Sequence, residues 1–176
     1  LLNQHGNTAR LMAGGTDLMP NMKHEFETPE VVIGLWKIPG ISGVTETEDS
    51  IRIGAMTTVH DLGNDPVIAE HCPSLSEACR QIAGPQLRRM GTIGGNVCLD
   101  TRCVYINQTY FWRQALGFCA KKDGTVCHVV KGGTRCVAAA SNDSGPVLMS
   151  LGASLKFVSI DGERVVSIDD FYRNDG

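Results

Sequence analysis

Ala13-Gly14-Gly15-Thr16-Asp17-Leu18-Met19 sets two adjacent glycines between the end of a short apolar run, Arg10-Leu11-Met12, and the start of a helical pattern. Glycine lets the backbone come close to a ligand, and a helix start offers free N–H groups to an anion. Thr16 adds a hydroxyl donor. Thr16-Asp17 predicts the cap of a helix reaching about Lys23, a helix that Pro20 keeps short. A strand, a glycine turn and a helix in that order suit a pyrophosphate. The stretch is neither the GxGxxG dinucleotide fingerprint nor the GxxxxGK[ST] phosphate loop. Alone, it reads better as a tight turn and a capped helix.

Outward from this turn the pattern is mixed. Val31-Val32-Ile33 predicts a buried strand, and Ser50-Ile51-Arg52-Ile53-Gly54 alternates like a half-exposed one. Thr57 and Thr58 predict a capped helix through Leu62. Pro73 opens a clearer helix, with Leu75, Ala78, Cys79 and Ile82 at i, i+3, i+4 and i+7, which Gly84-Pro85 ends. From Val97 to about Asn142 no apolar period persists, and glycine, cysteine and basic residues dominate. Beyond it, Pro146 and Gly152 bound a short helix. Ser154–Ile160 and Glu163–Ile168 flank Asp161-Gly162, a hairpin signal, and Asp169-Asp170 predicts the cap of a last helix. An irregular stretch that long inside a compact domain is functional or wrongly assigned.

Composition narrows the class. The chain has 176 residues, 42% apolar and 20% charged, with a net charge of −3. That gives no reason to expect nucleic acid or membrane as a partner. No apolar run approaches the ~20 residues of a membrane span, and the first ten residues lack an export signal. The chain reads as cytoplasmic. Seven cysteines is then a high and odd count, ill suited to a secreted disulfide framework. Five of them (Cys98, Cys103, Cys119, Cys127 and Cys136) fall within the irregular stretch, and clustered thiols in a reducing compartment suggest a metal.

Thr92-Ile93-Gly94-Gly95-Asn96 is a second Gly-Gly loop with polar flanks. Two such loops look like two walls for one extended phosphate-bearing ligand. Their order and separation resemble the FAD-binding domain of the molybdenum hydroxylases, and Ser141 to Leu148 resembles the family's next element, an acidic residue ahead of a proline and a helix. The resemblance covers almost the whole chain. It implies an α+β, two-lobed FAD-binding domain of the molybdopterin dehydrogenase type, here with a cysteine-rich insert. The first lobe would span about 1–40, the second about 41–176, and the insert about 98–140. Ala13, Gly14, Gly15, Thr16 and Asp17 would hold the pyrophosphate of FAD. Thr92, Ile93, Gly94, Gly95 and Asn96 would line the diphosphate and the flavin ring, and Asp143 would bond a ribityl hydroxyl. The family's domain starts somewhat earlier and continues into a C-terminal domain absent here, so the chain reads as part of a longer subunit.

Cys103-x15-Cys119-x7-Cys127-x8-Cys136 supplies four thiols, the number a 4Fe-4S cluster needs. Four thiolates also make a structural zinc site, but zinc ligands usually pair as CxxC and none occurs here. Between Val97 and Ala140, Arg102, Arg113, Lys121, Lys122, Lys131 and Arg135 outnumber Asp100 and Asp123. That excess supports a thiolate–metal centre over none, and does not separate iron from zinc. Cys79 fits a buried, unligated cysteine. Cys98 reads as a small residue near the flavin, and Tyr110 and Trp112 as shielding for the metal. His128 has ligand chemistry, but four cysteines suffice without it.

Within the family, the insert and its four spacings resemble the branch that reduces 4-hydroxybenzoyl-CoA. That resemblance implies an electron conduit with no catalytic side chain of its own, carrying FAD and a 4Fe-4S cluster. Its partners would be a 2Fe-2S subunit and a molybdenum-cofactor subunit, in a dimer of heterotrimers, with ferredoxin as donor. The rivals are the flavin subunit of an oxidising molybdenum hydroxylase and a zinc-stabilised binding module without redox activity.

Overall fold

The computed structural model describes residues 1–172, which gather into two compact units. One is built from residues 1–35 and 99–141, the other from 36–98 and 142–172. The cysteine-bearing segment, expected within the span of the second lobe, is thus grouped with the first 35 residues.

The chain opens with a one-turn helix, α1 (Leu2–His5), and enters β1 (Ala9–Met12). After the glycine turn comes α2 (Leu18–Lys23), then β2 (Val31–Gly34), paired parallel to β1 with Ala9 opposite Val31. Parallel strands need a crossover of a dozen or more residues. The glycine turn and α2 lie in that crossover, at the C-terminal end of β1. Asp17 occupies the N-cap position of α2, but its side chain makes no capping bond.

The second unit starts with an antiparallel pair, β3 (Val44–Glu46) and β4 (Ile51–Ile53). Three helices follow: α3 (Val59–Asn64), α4 (Pro66–His71) and α5 (Pro73–Gln81). The Thr58 hydroxyl accepts from Asp61 N–H, and Asp65 accepts from Val67 and Ile68 N–H, so α3 and α4 each have a side-chain cap worth about 1 kcal/mol. After α6 (Pro85–Arg88), residues 93–97 form α7 (Ile93–Val97), where the sequence suggested a loop. The Thr92 hydroxyl caps it by accepting from Gly95 N–H.

Within the insert the regular element is α8 (Tyr110–Ala115). The second unit resumes with α9 (Gly145–Ser150), the hairpin β5 (Ser154–Ser159) and β6 (Gly162–Ser167), and α10 (Ile168–Phe171). Two details differ from expectation. The hairpin turns at Ile160-Asp161, because Gly162, at φ +119°, already pairs with Ser159. Ser167 caps α10 by accepting from Asp169 N–H, which leaves Asp169 and Asp170 in the first turn.

The two units are filled differently. Val59, Leu62, Ile68, Leu75, Cys79, Ile82, Ile93, Val97, Leu148 and Ile168 form one apolar core in the second unit. Each large side chain there contributes about 1.5–3 kcal/mol. In the first unit the buried residues among those described are Ala9, Cys119, Cys127, Cys136, Thr101 and Arg113. A unit of that size centred on thiols and a guanidinium has no aliphatic core to close around. No helix among the described residues is long and apolar enough to cross a membrane.

Candidate flavin and cysteine sites

At the first glycine turn, Gly15 has φ +72°, a conformation side chains with a Cβ rarely adopt. None of the hydrogen bonds among the described residues uses the backbone N–H of Gly14, Gly15, Thr16 or Asp17. Four consecutive amides at the mouth of a strand–helix turn are therefore free to meet an anion. The Asp17 carboxylate is committed inside the unit: Arg102 of the insert pairs with Oδ1, and Asn21 donates to Oδ2 at 3.3 Å.

The second glycine pair is tied into the protein. Ile93 N–H donates to Thr57 O and Gly94 N–H to Ala55 O, both at 2.9 Å. A Cβ on Gly94 would lie 2.8 Å from both Cβ and O of Ala55, so glycine is required there for packing. What α7 leaves for a ligand is the exposed Gly95 and the amide nitrogen of Asn96. The other end of that amide, Asn96 Oδ1, accepts from Ser144 N–H at 2.9 Å and from Ser144 Oγ at 2.6 Å. Ser144 is completely buried and Asp143 beside it is exposed. Two segments 48 residues apart are held together by this pair of bonds, so Asp143 stands next to residues 92–96, as a shared ligand site requires. Cys98 is exposed at the end of α7, while Cys79 lies in the core, where burial pushes its thiol up to about 11.

The four cysteines singled out by spacing line a single cavity. Cys103, Cys119, Cys127 and Cys136 all face it, together with Tyr105 and His128. The cavity itself is small, about 20 Å³, room for about one water, and opens to solvent. Among the described residues no three Cys, His, Asp or Glu side chains are gathered tightly enough to grip a single ion. The thiols form a wall around a space.

Tight turns present these sulfurs. Lys122 and Gly124 N–H donate to Cys119 O at 2.9 and 3.0 Å, and a Cβ on Gly124 would come within 2.8 Å of Cys119 N. Cys127 N–H donates to Gly133 O at 2.8 Å, and Gly132 takes φ +74° to close that turn. Backbone N–H groups of Val130 and Val129, aided by Val137, favour the Cys127 thiolate and hold its thiol below the usual range despite desolvation. Hydrogen bonds to a ligating sulfur are one of the means by which proteins tune iron–sulfur centres. Four cysteines on the wall of one cavity supply the donor set of an iron–sulfur cluster. His128 also lines the cavity, with its Nε2 engaged by the Phe118 carbonyl.

The aromatic neighbour differs from expectation. Tyr105 lines the cavity and lies tilted against His128 at 5.1 Å, while Tyr110 packs on Phe118 at 5.4 Å and Trp112, outside the cavity lining, packs on Tyr105. The basic excess also has a local use. Arg102 pairs with Asp17, Lys122 with Glu27, Lys121 with Asp100 and Arg113 with Asp123. Two of these pairs join the insert to the first 35 residues. Turn glycines flanking the cysteines (Gly124, Gly132, Gly133) are the sequence signal for how the thiols are presented.

The family described as the FAD binding domain in molybdopterin dehydrogenase matches residues 1–176. The carbon monoxide dehydrogenase medium chain of Hydrogenophaga pseudoflava is 44% identical over 97 residues, 55% of this chain and 34% of that one. The carbon monoxide dehydrogenase medium chain of Afipia carboxidovorans is 32% identical over 173 residues, 98% of this chain and 47% of that one. A crystal structure of carbon monoxide dehydrogenase from Hydrogenophaga pseudoflava superposes with a TM-score of 0.72 at 30% identity, covering 98% of this chain and 47% of its counterpart. The chain thus spans about a third to a half of the length of these relatives. It belongs to the family of FAD-binding domains of the molybdopterin dehydrogenases.

Proposed function

We propose that this chain is the FAD- and 4Fe-4S-binding part of the electron-transfer subunit of a 4-hydroxybenzoyl-CoA reductase. The enzyme would remove the phenolic hydroxyl of 4-hydroxybenzoyl-CoA as water, with two electrons and two protons, to give benzoyl-CoA. The observation that carries this reading is the cavity lined by Cys103, Cys119, Cys127 and Cys136. Four thiols are the number a 4Fe-4S cluster needs, and the CxxC pairs usual in zinc sites do not occur in this chain. When bound, the cluster exchanges single electrons and FAD one or two, so the pair bridges a one-electron donor such as ferredoxin and the 2Fe-2S and molybdenum subunits.

This chain's residues hold and orient. Cys103, Cys119, Cys127 and Cys136 ligate iron. The amides of Gly14 to Asp17 receive the pyrophosphate of FAD, the surface of residues 92–96 lines the cofactor, and Asp143 accepts from a ribityl hydroxyl. No side chain here acts as acid, base or nucleophile.

A second reading is favoured by the relatives' names, among them an aldehyde oxidoreductase FAD-binding subunit from Escherichia coli that is 31% identical over 175 residues. It makes the chain the flavin subunit of an oxidising enzyme, with FAD and no extra cluster. Iron and sulfide analysis of the anaerobically purified full subunit separates the two. The proposal requires four irons per chain, lost on replacing Cys103, Cys119, Cys127 or Cys136 singly by Ser and kept on replacing Cys72, Cys79 or Cys98. Zinc, or a flavin spectrum without iron, overturns it.

A further inference from the structure

Arg113 is the one buried charged side chain among the described residues of the first unit, at 5% exposure. Its Nη1 donates to Asp123 Oδ2 at 2.7 Å, and its guanidinium lies 5.5 Å from the Phe118 ring and 5.8 Å from that of Tyr110. Its Nε is buried with no partner. A guanidinium held by one half-exposed carboxylate costs more in desolvation than the pair returns, and an apolar side chain would fill the space more cheaply. Stability alone therefore does not explain an arginine here.

The residues it touches suggest the reason. Phe118 and Asp123 hold positive φ, 62° and 69°, a conformation that persists in such residues only where surroundings enforce it. They stand on either side of the Cys119 turn. Arg113 grips that turn three ways: through the Phe118 ring, through the Asp123 carboxylate, and through its own carbonyl, which accepts from Phe118 N–H at 2.8 Å. Between those grips, Cys119 O receives the N–H groups of Lys122 and Gly124.

We propose that Arg113 is the positioning residue of the cluster site: with Asp123 it fixes the turn that aims Cys119 into the cavity, and it sets a permanent positive charge behind that ligand. The inference rests on the 4Fe-4S reading above. A positive charge behind a ligand stabilises the reduced, more negative state of the cluster, so losing it moves the midpoint potential downward.

The test uses the full subunit, purified anaerobically, as wild type, Arg113→Lys, Arg113→Met and Asp123→Asn. Iron per chain, FAD per chain, the electron paramagnetic resonance spectrum of the reduced cluster and its midpoint potential are measured. Arg113→Met and Asp123→Asn should keep FAD, lose more than half of the iron and broaden the reduced-cluster signal. Arg113→Lys should restore iron in part, with a midpoint above that of Arg113→Met. Should Arg113→Met fail to fold, Asp123→Asn decides, since its carboxylate is half exposed and its loss leaves the arginine in place. Wild-type iron with unchanged content, spectrum and potential in the soluble variants overturns this inference alone. Wild type without iron overturns the cluster reading, and this inference with it.

Discussion

Replacing Asn96 by Ala takes away the oxygen that two donors of Ser144 share. The Ser144 residue is fully buried, its N–H lies 2.9 Å and its hydroxyl 2.6 Å from Asn96 Oδ1, and neither has water to turn to. A buried donor left without an acceptor costs about 1–3 kcal/mol. The N–H cannot reorient, so it bears that penalty in full, while the hydroxyl rotates and recovers part of its own. The combined loss is about 2–4 kcal/mol. In a protein of this size each kcal/mol moves the melting temperature by about 2–4 °C, which gives a drop of roughly 4–16 °C. Thermal unfolding followed by far-ultraviolet circular dichroism reads it, in the transition that melts the helical second unit. Asn96→Asp keeps an acceptor in place and should lose less than half as much. Ser144→Ala keeps the backbone bond and should fall between the two. An Asn96→Ala protein that melts with wild type, or an Asn96→Asp protein as damaged as Asn96→Ala, refutes the reasoning.

Gly15→Val should abolish FAD binding in a soluble protein, because φ +72° is closed to a β-branched residue and the side chain intrudes at the amide cluster; flavin content of the purified variant checks it, and full content would remove this turn from the phosphate site. Gly94→Ala should destabilise the second unit by about 1–3 kcal/mol through overpacking against Ala55, visible in the same melts, and a neutral result would mean the two segments separate easily. Asp143→Ala should leave stability unchanged, since the side chain is exposed, yet weaken FAD by about 1.5–3 kcal/mol, the value of a bond to a charged acceptor. Equilibrium dialysis against FAD would show the shift.

What was legible from sequence was local. Leu75 and Cys79 keep the helical period and are buried, because one face of α5 meets the core and periodicity reports faces, while Ile82 joins the core from just past the helix end. The cysteine spacings led to four residues that share a cavity. The helical state of residues 93–97 was not legible, since adjacent glycines argue against a helix. Thr57 O and Ala55 O, about forty residues earlier, take its first amides and hold it. The grouping of the insert with the first 35 residues rests on ion pairs such as Lys122–Glu27 and Arg102–Asp17, 95 and 85 residues apart, which no local pattern encodes. That Tyr105 and not Trp112 lines the cavity depends on tertiary placement, which no local pattern around either residue encodes.

The ends of the insert lie side by side: Arg102 N–H donates to Ser141 Oγ at 3.2 Å, between residues 39 apart in sequence. A segment that leaves and returns at one point behaves as a cassette. Closing so long a loop costs little more than closing a short one, about 0.6 kcal/mol for each doubling of length. Its removal would leave the apolar core of the second unit intact but take from the first unit every buried residue except Ala9, so the first unit depends on the loop it carries.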